Sequence, residues 1–326
     1  MPERIVVPCP MKRMQYVRRQ SLETPPKRHR PSSRRPGARG LLRRMHFTAA
    51  GRGLHYSAAR GVVESALRVL FRGDWPARAW GRLPVASSVR VVHRRIPLPT
   101  PRPSPLRIAF ASDLHLGPTT SAKTLDEAFR LLAVARPDVL VLGGDYVFLD
   151  ATPARARELE ARVRDVPARL KVAVLGNHDL WTRHSLLEDA LTRAGAVVLV
   201  NAAARLDDLA VVGLDDPWTG VPDGERAFAA AEGAALTIAV CHAPGGFRHA
   251  RGRGALLYLC GHTHGGQVAL PGGVPLVVPG GRLARRFPHG VHQVDGTTLF
   301  VSRGLGGVEI PLRAFAPPDI GLFDLG

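Results

Sequence analysis

The sequence predicts an α/β domain over its last two-thirds, on two observations. Short apolar runs alternate with longer segments of helical periodicity, the order that builds a sheet covered by helices. Five of these runs end in Asp, Asn or His, and an open α/β sheet binds its ligands beyond the carboxyl ends of its strands.

From the start of the chain, residues 1–45 are rich in Arg, Pro and Ser and carry no apolar periodicity, which predicts a basic, disordered tail. Arg18-Arg19 is followed by a polar, proline-containing stretch with no apolar core, so it does not read as an export signal. A start of translation at Met45 is the other reading of this segment. Between 46 and 104 comes first a basic amphipathic helix, with Leu54, Ala58, Val62, Ala66, Leu67, Leu70 and Phe71 at helical spacing and Arg60, Arg68 and Arg72 among them. Such a helix packs on its own domain or lies on an anionic membrane. The five prolines from Pro97 to Pro105 then form a stiff connector, and the main domain is expected over 105–326.

Within that domain Leu106–Ser112 reads as a buried strand, Thr124–Ala135 as a helix and Asp138–Leu142 as a strand. Ala154–Val163 reads as a helix, Leu170–Leu175 as a strand, Ser185–Arg193 as a helix and Ala196–Val200 as a strand. Beyond Asp208 the runs are shorter and strand-rich: Leu209–Leu214, Leu236–Cys241, Ala255–Cys260, Val291–Val294 and Thr298–Val301.

Composition bounds the function. With 326 residues, 45% of them apolar, the chain can bury a large core, and it has no uninterrupted apolar stretch long enough to span a bilayer. Cys9, Cys241 and Cys260 are too sparse for a disulfide framework and fit a cytoplasmic, reducing setting. A net charge of +18 favours anionic partners: phosphorylated small molecules or lipids, an anionic membrane touched peripherally, or nucleic acid, for which no binding module accompanies the charge.

The chemistry sits at the strand ends. The five clusters are Asp113-Leu114-His115, Gly143-Gly144-Asp145, Gly176-Asn177-His178-Asp179, His242, and Gly261-His262-Thr263-His264. Alternation in Asp-x-His and His-x-His brings both outer side chains to one side if the segment is extended. Each cluster alone is an ordinary turn. Five of them behind five apolar runs predict one convergent site.

In this order the signatures resemble the calcineurin-like metallophosphoesterase family. Gly143–Val147, Gly261–Gln267 and Ser302–Gly306 look like its bacterial branch, which includes membrane-associated phosphoesterases. Asp145 is followed by Tyr146-Val147-Phe148-Leu149 and not by Asp-Arg-Gly, which disfavours the protein-phosphatase branch. His242 precedes Ala243-Pro244-Gly245 where the favoured branch has Asn-Pro-Asp, a departure that bears on substrate choice.

The resemblance implies a four-layer sandwich of two mixed β-sheets flanked by helices, and two divalent metal ions. Asp113, His115 and His264 would hold one, Asn177, His242 and His262 the other, with Asp145 between both. Imidazole and carboxylate together suit manganese, iron or zinc better than magnesium. Two such cations would lower the pKa of a shared water and stabilise charge on phosphoryl oxygens, giving hydrolysis of a phosphoester or pyrophosphate, on a lipid-linked substrate in some of the branch. The alternatives are a nuclease, a nucleotide phosphodiesterase, or a basic anion-binding protein on the same scaffold. By resemblance His178 contacts the phosphoryl group or protonates the leaving oxygen. Asp179 is expected to orient the His178 ring and favour its charged form. Arg303, in the glycine-rich loop Gly304–Gly307, reads either as a phosphate contact or as a solvated turn residue.

Overall fold

The structure, a computed structural model, describes residues 51–98, 100 and 104–326. The segment 1–45, with the expectations of a disordered tail and of a start at Met45, lies outside the described residues. The described chain begins with helices α1 (Ala58–Leu70) and α2 (Trp75–Trp80), then strand β1 (Arg90–Ile96). It continues through β2 (Leu106–Ala111), α3 (Ala122–Ala135), β3 (Val139–Leu142), α4 (Pro153–Arg164) and β4 (Leu170–Ala173). Next come a single turn α5 (Asn177–Leu180), α6 (His184–Arg193), β5 (Ala196–Val198), β6 (Ala202–Leu206) and β7 (Leu209–Gly213). The last part holds α7 (Gly224–Ala229), β8 (Leu236–Val240), β9 (Leu257–Cys260), α8 (Arg282–Arg286), β10 (Gly290–Val294), β11 (Thr297–Val301) and β12 (Asp319–Leu325).

Local chemistry sets the helix starts. Ser57, Ser121 and Thr152 accept hydrogen bonds from the backbone N–H of Arg60, Lys123 and Arg155, and Pro153 fills the first turn of α4, where its missing N–H costs nothing.

The strands form two mixed six-stranded sheets, ordered β1-β12-β2-β3-β4-β5 and β10-β11-β9-β8-β7-β6. Alternation along each strand decides the layers. Ile108, Phe110, Val139, Val141, Val172 and Val174 of the first sheet meet Val211, Ile238, Val240, Leu257, Leu259 and Phe300 of the second. The alternate residues, Ala109, Ala111, Leu140 and Leu142, face Leu125, Leu132, Leu159 and Leu187 on α3, α4 and α6. On the far side Ala210, Val212, Ala239 and Tyr258 pack under Ala227 and Phe247. Burial on both faces is why these strands read as continuous apolar runs. The four layers agree with the architecture the resemblance implied.

Two segments depart from the sequence expectations. The domain was placed after the proline run, yet β1, which precedes it, pairs in parallel with β12 along its whole length and forms the sheet's outer edge. Its alternation is masked because only Ile96 at its end is buried. Helix α1 is present, but its apolar residues do not face the domain. Val62, Val63, Val69 and Leu70 are exposed, while Gly61 and Glu64 are its buried residues. No described helix is long and apolar enough to cross a membrane.

Candidate metal centre

The five clusters converge, on the carboxyl ends of β2, β3 and β4 in one sheet and of β8 and β9 in the other. All seven expected ligands are buried. Asp113, His115 and His264 offer donor atoms within 4.8 Å of one another, and so do Asp145, His242 and His262. Oδ2 of Asp145 links the groups, 3.1 Å from His242 Nε2 and 3.6 Å from His115 Nε2. Within the first group His264 Nε2 is 3.5 Å from Asp113 Oδ1 and 3.2 Å from His115 Nε2. In the second, His262 Nδ1 is 3.2 Å from His242 Nε2. Ring nitrogens aimed at each other at such distances need a proton or a cation between them.

The outer nitrogens fix which inner nitrogen presents its lone pair. His242 Nδ1 lies 2.9 Å from the Gly143 carbonyl and His115 Nδ1 3.4 Å from that of Val147. An N–H donated to a carbonyl on one side leaves an acceptor on the other, the arrangement metal-binding imidazoles adopt. Burial drives the His115 and His262 rings down to about 4, keeping them neutral. Burial also opposes charge on His242, but the carboxylates of Asp145, Asp113 and Asp216 together more than offset it, and its pKa stands above the usual histidine value.

The backbone is not extended at these positions, contrary to the alternation argument. Asp113, His115, Asp145, His262 and His264 have φ of 54°, 45°, 55°, 72° and 53°. Left-handed conformations are unfavourable for such side chains and cluster at functional sites, where the surroundings hold them. The glycines make room for this. A Cβ on Gly261 would stand 2.1 Å from Asp113 Oδ2, and one on Gly304 2.5 Å from Asp113 Cβ.

Asp179 does not orient His178, which corrects the sequence expectation. Its carboxylate accepts from the backbone N–H of Asp145 at 2.7 Å, Tyr146 at 2.8 Å and Gly176 at 3.0 Å. At the third position of α5 it reaches back over the helix start and across to the β3 loop, so both oxygens are used on backbone. Burial and the Asp145 charge push its carboxyl up to about 8, against the pull of those N–H groups. The His178 ring instead meets Arg60 of α1, whose Nη2 is 3.4 Å from both ring nitrogens. Burial holds His178 well below the usual histidine range, Asp145 opposes this, and Arg60 adds to it, so the expected charged form is not favoured.

The residues fit metal ions. Asn177 Oδ1 is buried and makes no hydrogen bond among the described residues, a condition costing about 1–3 kcal/mol unless another partner binds it. The sequence model of the calcineurin-like phosphoesterase family matches residues 106–266. An uncharacterized metallophosphoesterase of Aquifex aeolicus is 30% identical over 229 residues, 68% of this chain and 85% of its own. The chain belongs to the calcineurin-like phosphoesterase family. It is similar also to the uncharacterized metallophosphoesterase YkuE of Bacillus subtilis, 28% identical over 67% of this chain and 78% of that protein. Phosphodiesterase YaeI of Escherichia coli is 29% identical over 68% of this chain and 83% of its own. Membership makes the chain a metal-dependent phosphoesterase.

Around the centre of this metallophosphoesterase stand Trp181, Trp218 and Arg313, which motif reading missed. His178, Trp181, Trp218 and His262 form a chain of ring contacts at 5.7, 5.4 and 6.0 Å, joining the two halves of the site. Arg303 is largely buried and not a solvated turn residue, and its Nε makes no hydrogen bond among the described residues. It bonds Asp319 Oδ2 at 3.2 Å and His289 Nδ1 at 3.0 Å. Half-buried Arg313 spans the same loop, binding the carbonyls of Gly306 and Ala316 at 2.9 and 3.0 Å. No motif marks Arg313. Arg60 left a signal, its four-residue spacing from Glu64 inside an otherwise apolar helix pattern.

Proposed function

We propose that this protein is a dinuclear-metal phosphoesterase that hydrolyses a phosphoester or pyrophosphate bond. The observation that carries the reading is the pair of buried donor groups, Asp113, His115 and His264 in one and Asp145, His242 and His262 in the other, with Asp145 Oδ2 reaching to 3.6 Å from His115 of the first, and a buried, unpaired Asn177 Oδ1. Asp113, His115 and His264 would hold one cation, Asn177, His242 and His262 the other, with Asp145 shared. The donor set suits manganese, iron or zinc. Bound there, two dications supply a water of lowered pKa and neutralise charge on the phosphoryl oxygens.

The chain's own residues do the rest. Asp145 Oδ1 accepts the backbone N–H of His178 at 2.8 Å, which ties the ring of His178 to the bridging carboxylate's position. From there His178 donates to a phosphoryl oxygen or to the leaving oxygen. A cleft of ≈ 440 Å³ opens beside His262, lined by Pro217, Trp218, Ala243, Pro244 and Arg248, and receives the leaving group. Its walls include the residues after His242 where the sequence departs from its branch.

A lipid-linked substrate is the preferred form of this reading. Its support is the apolar character of segments joined to the site. Val62 and Val69 on α1, Leu270 and Val277 after His264, and Ile310 and Phe315 in the loop bonded to Gln267 are all exposed. An amphipathic helix with exposed apolar side chains, as α1 is, can lie in the boundary of a bilayer.

The test loads purified protein with manganese and measures hydrolysis of aryl phosphomonoesters and diesters, nucleotide-lipid pyrophosphates and nucleic acid, beside elemental analysis. Turnover with about two metals per chain is expected, fastest on the lipid-linked substrate. Asp145→Asn should lose metal and turnover together. No turnover on any arm would sink the enzymatic reading, and preference for nucleic acid would overturn the lipid form.

A further inference from the structure

We infer that Arg60, delivered by α1 from ahead of the matched family region, is a substrate-contacting residue that binds the phosphoryl group together with His178. The inference rests on the phosphoesterase reading.

Its first support is placement. The His178 ring centroid is 5.0 Å from that of His115, a ligand of the proposed centre, and Arg60 Nη2 also touches that ring, 3.4 Å from Nδ1. Contact at 3.4 Å with both ring nitrogens puts the guanidinium against the ring and not at a single acceptor. The Arg60 Cζ also stands 4.0 Å over the Trp181 ring. A planar guanidinium held by stacking keeps its N–H fork available, the form that suits phosphate oxygens.

The second support is how firmly the fork is aimed. Nε donates to Glu64 Oε1 at 2.8 Å, and Glu64, buried, is itself held by the Tyr56 hydroxyl at 2.9 Å. Glu309 Oε1 approaches Nη2 no closer than 3.7 Å. Among the described residues Nη1 makes no hydrogen bond.

The third support is electrostatic. Arg60 is ion-paired with Glu64 at 2.8 Å and with Glu309 at 3.7 Å, and an entering anion adds a further negative partner on the side facing the metal ligands. Arg60 is not needed to fasten the segment, since other contacts do that. Gly53 N–H donates to the Leu180 carbonyl and Leu54 N–H to that of Thr219, both at 2.8 Å. Arg52 grips Asp215 at 2.8 and 2.9 Å, and the Trp181 indole donates to the Leu54 carbonyl at 2.9 Å.

The experiment titrates inorganic phosphate into the metal-loaded full-length chain by calorimetry, with metal content measured on each sample. Arg60→Gln should weaken phosphate about ten- to a hundredfold at unchanged metal content. Arg60→Lys should recover part of that loss, keeping the charge and losing the fork. The pair Arg60→Gln with Glu64→Gln removes the buried carboxylate that the single change strands. If Arg60 contacts phosphate, the double variant stays weak. Wild-type phosphate affinity in Arg60→Gln, or its return in the double variant, would overturn the proposal. Should Arg60→Gln fail to fold, Arg60→Lys decides, and unchanged affinity there counts against it. Unsubstituted protein that neither binds phosphate nor hydrolyses any ester would remove the phosphoesterase reading, and this one with it. Hydrolysis with unaltered Arg60 variants would remove this one alone.

Discussion

Asp179 and His178 are neighbours in sequence with different work. The Asp179 carboxylate gathers the N–H groups of Asp145, Tyr146 and Gly176, so it holds the β3 and β4 loops in register under the centre. Asp179→Ala would strand those buried donors at about 1–3 kcal/mol each. A marked fall in unfolding temperature with loss of bound metal is expected, read by thermal melts and elemental analysis. A stable, metal-replete Asp179→Ala would contradict that role. His178→Ala removes no expected ligand. Its turnover should drop by roughly 10²–10⁴-fold while both metals stay bound. Elemental analysis decides this: an emptied metal position would make His178 a ligand instead.

Among the elements, the facing strands of the two sheets set the spacing of the centre, because three clusters stand on one sheet and two on the other. Phe300 on β11 sits in that seam, edge-on to Phe110 at 5.9 Å and Phe323 at 5.2 Å. Phe300→Ala would leave a cavity costing about 3–5 kcal/mol. Urea unfolding of the metal-free protein measures it, and a loss below about 1 kcal/mol would show that the seam collapses around the gap. Helix α1 is the element whose reading changed most. Its apolar stripe suggested a buried face, yet the face against the domain carries Arg60 and Glu64. Hydrophobic periodicity reports a stripe, and it does not say which side of the stripe meets the protein.

For the molecule as a whole, seven buried polar side chains at the junction of two sheets couple metal binding to folding. Removing metal returns two carboxylates and a crowd of imidazoles to one another, with Asp113 already held above the usual carboxylate range by burial. A chelator should therefore lower the thermal midpoint. At free metal a hundred times Kd the expected difference is about 2.7 kcal/mol for each site filled, visible in calorimetric scans with and without chelator. Identical scans for protein shown to lose metal would mean the site is formed independently of its ions.

The order of clusters, the strands that end in them and the metal-ligand residue types they hold were legible in the sequence, while the choice of seven ligands among them came with the family resemblance. Ligand chemistry depends on residue type, and strands buried on both faces write themselves as apolar runs. The two-sheet architecture and the grouping of ligands came with the family resemblance, since nothing in a local period says which sheet a strand joins. Only the tertiary structure decided the partners of Asp179, the left-handed turns at Asp113 and His264, and the part played by Arg60. Arg60 meets His178 across 118 residues of sequence, and Arg313 meets His264 across 49. Such contacts follow from how the loops of two sheets close on each other, and no motif or spacing within either partner's own segment records them.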